Sequence, residues 1–146
     1  MNFHSWGNLW IYPYNFFRGD DKEIMKIQNY DFYYKFTQDL KNKGFYNAGT
    51  AINTIQYVAN GEASDWMLGV HDIISFSPEM GSKENTGGSF YPNKNQIKEV
   101  MSKEFLPIDL FLDYCIVKFN DIEILKTDDQ NLQNLLIKNL SINSLE

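Results

Sequence analysis

Three observations predict an α/β fold for this chain. Strand-like segments at residues 2–12 and 73–79 alternate with segments of helical spacing at residues 24–40 and 93–105. The apolar fraction is 43% and the aromatic fraction 16%, with 11 Phe, 9 Tyr and 3 Trp, a composition that builds a packed core and rules out a disordered chain. At 146 residues the length suits one domain or part of one.

Residues 2–12 combine aromatic and branched side chains and stop at Pro13, as a strand covered on both faces would. Gly19-Asp20-Asp21 then provides acidic capping for a helix with Ile24, Ile27, Tyr33, Phe36 and Leu40 on one face, ended by Lys41, Lys43 and Gly44. A break near Tyr30 is compatible with that spacing. Ala48 to Ala59 is small and β-branched, and its type stays open between helix and strand up to the Asn60-Gly61 turn. Ser64-Asp65-Trp66 opens a short helical turn. From Ile73 to Glu79 the alternation places Ser75, Ser77 and Glu79 on one face of a strand, with Glu79 at its end.

Residues 81–88 have the composition of a loop, and Ile97, Val100, Met101 and Phe105 then give a helix that Pro107 should kink or restart. Cys115 to Leu125 alternates around Asn120-Asp121 and predicts a hairpin. Leu132, Leu135, Leu136 and Leu140 share one helix face in the tail. The reading divides the chain into residues 1–114 and an appended hairpin and helix at 115–146, the start of a small β-rich domain.

Thirteen Lys and Arg against nineteen Asp and Glu leave a net charge of -6, which argues against nucleic acid as a partner and against polybasic membrane targeting. No apolar run reaches the length of a membrane segment, and no signal peptide is recognisable. Cys115 is the single cysteine and cannot form an internal disulfide. No Gly-rich phosphate loop, nucleophile elbow, HExxH word or cysteine pair spaced for metal occurs. Neither His4 nor His71 has a helical partner three or four residues on, so neither makes a zinc site by itself.

Three segments, in order, resemble the zinc carboxypeptidases of the carboxypeptidase A/B type. His4-Ser5-Trp6-Gly7-Asn8-Leu9-Trp10-Ile11-Tyr12-Pro13-Tyr14 resembles the stretch that carries that family's last zinc-ligand histidine. Gly49-Thr50-Ala51-Ile52 through Tyr57 to Gly61-Glu62-Ala63-Ser64-Asp65-Trp66 is similar to the stretch with the mobile substrate-binding tyrosine and the specificity pocket. Ile74-Ser75-Phe76-Ser77-Pro78-Glu79-Met80-Gly81, followed by Phe90-Tyr91-Pro92, resembles the strand that ends in the catalytic glutamate. Together these matches cover roughly residues 2–114.

The resemblance implies a mixed, mostly parallel sheet flanked by helices, present here in its C-terminal part. It implies a zinc cofactor with His4 as one ligand, and Glu79 as the catalytic group that takes a proton from zinc-bound water and returns it to the leaving amine. Tyr57 would close on the substrate carboxylate. Ser5, Ile52, Ala59, Ser64 and Ser77 would contact the substrate, which is a peptide or protein C-terminus. Ser64 matches the pocket floor, where a neutral residue implies an apolar or aromatic C-terminal side chain. Asp65 and Trp66 read as structural. The resemblance also implies non-proline cis bonds at Ser5–Trp6 and Pro13–Tyr14.

The departures are as specific. No His-x-x-Glu word occurs, so two of three zinc ligands are absent, and the single arginine, Arg18, lies outside every matching motif. Two readings follow. The chain is the C-terminal part of a metallocarboxypeptidase that is incomplete alone and whose partner is the missing N-terminal half, or it is a noncatalytic remnant that acts as a peptide-binding or structural module. Compartment stays open, extracellular or vesicular for a full-length relative.

Overall fold

The computed structural model of the protein describes residues 1–44, 46–87 and 90–126, with the backbone alone at 85 and 117–126. Three strands form a small mixed sheet in the order β2-β1-β3, where β1 is Leu9–Ile11, β2 is Asn47–Gly49 and β3 is Ser77–Glu79. β1 pairs parallel with β2 and antiparallel with β3, setting Leu9 opposite Glu79 and Ile11 opposite Ser77. Helices flank this sheet as expected.

The segment read as one strand over 2–12 is two pieces. Residues 2–4 lie along the far side of β3, where Asn2 N–H donates to the Phe76 carbonyl at 2.9 Å and His4 N–H to that of Pro78 at 2.8 Å. Asn8, at φ 57°, then turns the chain so that β1 lies against the opposite side of β3. β3 is thereby held between two parts of the N-terminal segment. The Ser5–Trp6 and Pro13–Tyr14 peptide bonds are both cis.

A short 3-10 turn, Asp21–Glu23, is capped by Asp20, whose carboxylate accepts the Lys22 N–H at 3.0 Å. Because that turn stands apart, the helix α1 begins only at Ile27 and runs unbroken to Asn42, burying Tyr33, Phe36 and Leu40. Ile24 and Ile27, placed on the buried face from spacing, are exposed. The stretch of open type is both: β2 precedes a single-turn helix α2, Ala51–Thr54. α3 is longer than the short turn expected, Ala63–His71, and stops where Asp72 adopts a left-handed conformation at φ 55°.

The strand expected from Ile73 to Glu79 shortens to β3 because Tyr33 intervenes. Its hydroxyl donates to the Ser75 carbonyl at 3.1 Å and accepts the Ser75 N–H at 3.0 Å, satisfying the groups a ladder would use. The loop at 81–88 contains one helical turn, α4, Lys83–Thr86.

α5, Lys94–Lys126, starts at a reciprocal cap. The Asn93 side-chain oxygen accepts from Asn95 and Gln96 N–H groups, while Gln96 Oε1 accepts the Asn93 N–H at 2.8 Å. Pro107 lies inside this helix without ending it. The hairpin expected at Cys115 to Leu125 is helix instead. A two-residue hairpin turn needs positive φ at both central residues, and Asn120-Asp121 lacks the glycine that makes this cheap. The leucine face at 132–140 lies outside the described residues.

The chain divides into two compact units, Met1–Pro107 and Ile108–Glu146. The first has an aromatic core in which Trp10, Tyr33, Phe36 and Phe76 are fully buried. Phe76 contacts the other three with ring centroids 4.9–5.4 Å apart. The described part of the second unit is the later portion of α5. No helix among the described residues is long and apolar enough to cross a membrane.

Candidate functional site

The strand packing decides where the chemistry-bearing residues meet. His4 is bridged to Glu79 across the edge of β3, its carbonyl accepting the Met80 N–H at 3.0 Å. The two side chains therefore share one end of the sheet, and both line a cleft of about 70 Å³. Its remaining walls come from β1 (Ile11), from Asn15 and Ala51, from the segment with Ile55, Tyr57 and Ala59, and from Glu62 and Ser77.

The His4 ring is exposed, and its Nε2 accepts from the Asn2 side-chain amide at 2.9 Å. Glu79 is half-buried. Burial holds its carboxyl above the usual carboxylate range, with His4 pulling it down and Glu62 pushing it up. Tyr57 stands at the rim with 59% of its surface exposed. Ala59 is tied to the wall by its N–H, which donates to the Asn15 carbonyl at 3.0 Å.

Beneath the cleft lies a buried polar floor. Ser64, in the first turn of α3, is fully buried and its Oγ is 3.4 Å from Ser77 Oγ. Asn15, also fully buried, donates through Nδ2 to Ser64 Oγ at 3.3 Å and accepts the Ala51 N–H at 2.8 Å. Asp65 below it accepts from the Asn15 and Phe16 N–H groups. Burial nonetheless keeps the Asp65 carboxyl above the ordinary range, those N–H groups opposing the rise and Glu62 adding to it.

The cleft thus brings together His4, Tyr57, Ala59, Ser77 and Glu79, with Ser64 one hydrogen bond below. Ser5 and Ile52 do not line it. Asn15 and Glu62 do, and spacing had singled out neither. Asn15 has partners 36 to 50 residues away in sequence, which no local pattern reveals. Glu62 carried a signal, as a carboxylate directly after the Asn60-Gly61 turn and two residues before Ser64.

A zinc site needs three protein ligands. Among the described residues no group of three His, Cys, Asp or Glu side chains could hold a metal ion. His4 could supply one ligand, so these residues do not make up a zinc site.

The family model for zinc carboxypeptidases matches residues 1–106. A zinc carboxypeptidase of Saccharothrix mutabilis subsp. capreolus is 25% identical over 114 residues, covering 78% of this chain and 26% of that protein. The chain therefore spans about a quarter of that relative's length. Bovine thrombin-activatable fibrinolysis inhibitor, solved in complex with tick carboxypeptidase inhibitor, superposes with a TM-score of 0.58. The two are 15% identical, and the match covers 80% of this chain and 38% of the bovine one, a likeness of fold.

Proposed function

Since this chain belongs to the zinc carboxypeptidase family, we propose that its cleft is the substrate-binding part of a metallocarboxypeptidase site that acts on the C-terminal residue of a peptide. The observation that carries this reading is the convergence of His4, Tyr57, Ser77 and Glu79 on one cleft at the end of β3, from segments up to 75 residues apart.

Each of these groups has a task suited to its surroundings. Glu79 ends a strand facing the cleft, and partial burial brings its carboxyl closer to neutrality, which suits a group that takes up and releases a proton. Tyr57 is exposed enough to swing onto a bound carboxylate and donate its hydroxyl. Ala59, Ser64 and Ser77 form the side-chain subsite. Among the described residues His4 is the imidazole that lines the cleft, and it is the residue that would face a metal.

The test uses the isotope-labelled chain, short N-acetylated peptides with free C-termini, and Zn²⁺. Peptides should shift the resonances of Tyr57, Ala59 and Ser77, and Zn²⁺ should shift those of His4. Perturbation confined to other surfaces, or none at all, would sink the reading. A noncatalytic peptide-binding module is the second reading, favoured by the lack of a three-ligand group among the described residues. It is distinguished by peptide shifts at the cleft without any Zn²⁺ effect at His4.

A further inference from the structure

Glu62 lines the cleft and is unspent by the fold. It immediately precedes α3, the position where a side chain normally caps the helix, yet it makes no capping hydrogen bond. Nor is it a partner in the ion pairs of Lys26 with Asp72 and of Lys103 with Glu99. Its charge nevertheless reaches the site, acting on both Glu79 and Asp65.

The cleft has a single sign of charge apart from His4. Among the described residues no Lys or Arg lines it. Asp65 adds negative potential from below, since N–H groups rather than a cation satisfy it. The floor offers the Ser77 hydroxyl as an acceptor, its proton directed to Ser64 Oγ below. Ile11, Ala51, Ile55 and Ala59 give apolar walls suited to a methylene stem. The space admits about five water-sized groups. Leu and Lys side chains differ by a single non-hydrogen atom, so charge must discriminate between them.

We propose that Glu62 is a specificity-determining residue that makes this cleft prefer peptides whose C-terminal residue is cationic, a lysine. This rests on the carboxypeptidase reading above. Ser64 alone argues for an apolar residue, but a neutral side chain would partly desolvate the Glu62 carboxylate and give it no partner. An acidic C-terminal residue would be repelled.

The experiment titrates the labelled chain with N-acetylated peptides that differ only in ending with Lys, Leu or Glu. Lys-ended peptides should bind about fivefold tighter than Leu-ended ones, and Glu-ended peptides weakest, the size of a partly screened ion pair. Glu62→Gln should abolish the preference for Lys and leave the affinity for Leu within about twofold, and about 0.5 M NaCl should act in the same direction. Equal or tighter binding of the Leu-ended peptide overturns the proposal. So does a Lys preference that survives Glu62→Gln, or one that Glu79→Gln removes in its place. Peptides that perturb no resonance of the cleft overturn the carboxypeptidase reading and this inference with it, so the two failures are distinct.

Discussion

Asp65 accepts the backbone N–H of Asn15 at 2.9 Å and the Asn15 side-chain amide at 3.1 Å, so one carboxylate anchors both ends of the residue that forms the cleft floor. Asn15→Ala would leave the buried Ala51 N–H without its acceptor and remove one of the two donors to Ser64 Oγ. The expected loss is about 2–4 kcal/mol of unfolding free energy, read from the midpoint of a urea titration. A midpoint equal to that of the wild type would show that the floor rearranges without cost.

Tyr57 separates function from stability because most of its surface is exposed. Tyr57→Phe should change unfolding free energy by less than about 0.5 kcal/mol. It should weaken binding of carboxylate-ended peptides by roughly two- to tenfold, the worth of one hydrogen bond. Unchanged affinity would place the hydroxyl outside the complex.

The aromatic core was legible because burial repeats on the period of each element. Tyr33, Phe36 and Leu40 in α1 fall on the buried face their spacing marks, and Trp10 is buried in a segment whose composition predicts a strand covered on both faces. What spacing could not show was long-range competition for hydrogen bonds. Tyr33 takes the backbone groups of Ser75 and cuts β3 short, and that contact joins residues 42 apart. Cys115 to Leu125 fits an alternating pattern, but the cap at Asn93 starts a helix upstream that nothing in the segment stops. At the site, three ordered motifs identified the family. The charge of the cleft emerged only once folding set Glu62 beside Glu79 and above Asp65.

Tyr46 donates its hydroxyl to Glu104, a carboxyl with 1% of its surface exposed. Burial raises the Glu104 carboxyl above its ordinary range, and the hydrogen bond from Tyr46 opposes the rise. Tyr46→Phe removes that donor and should cost about 1–3 kcal/mol by urea titration. Glu104→Gln retains an acceptor for Tyr46 without a charge to desolvate, and should cost less at pH 7. The reverse ranking would mean that Glu104 is held in place as an anion by groups other than Tyr46.

Asp21 provides a pH dependence whose sign is set by burial. Its carboxyl is 7% exposed and is pushed up from 3.8 to about 6, chiefly by desolvation, with the Tyr12 hydroxyl at 3.3 Å pulling down and Asp20 pushing up. The folded state thus holds this proton more tightly than the unfolded chain does. Stability from the group is fully present below the unfolded value near 4 and is lost as pH rises through about 6. The slope inside that window is at most about 1.4 kcal/mol per pH unit. Buried carboxyls such as Glu104 act with the same sign, so the comparison with Asp21→Asn isolates this one. Melting temperatures of the wild type should rise on acidification from pH 7 to pH 5. The Asp21→Asn profile should be flatter there and start from a higher value at pH 7. Parallel profiles across the window would show that Asp21 is solvated enough to stay ionised in the folded chain.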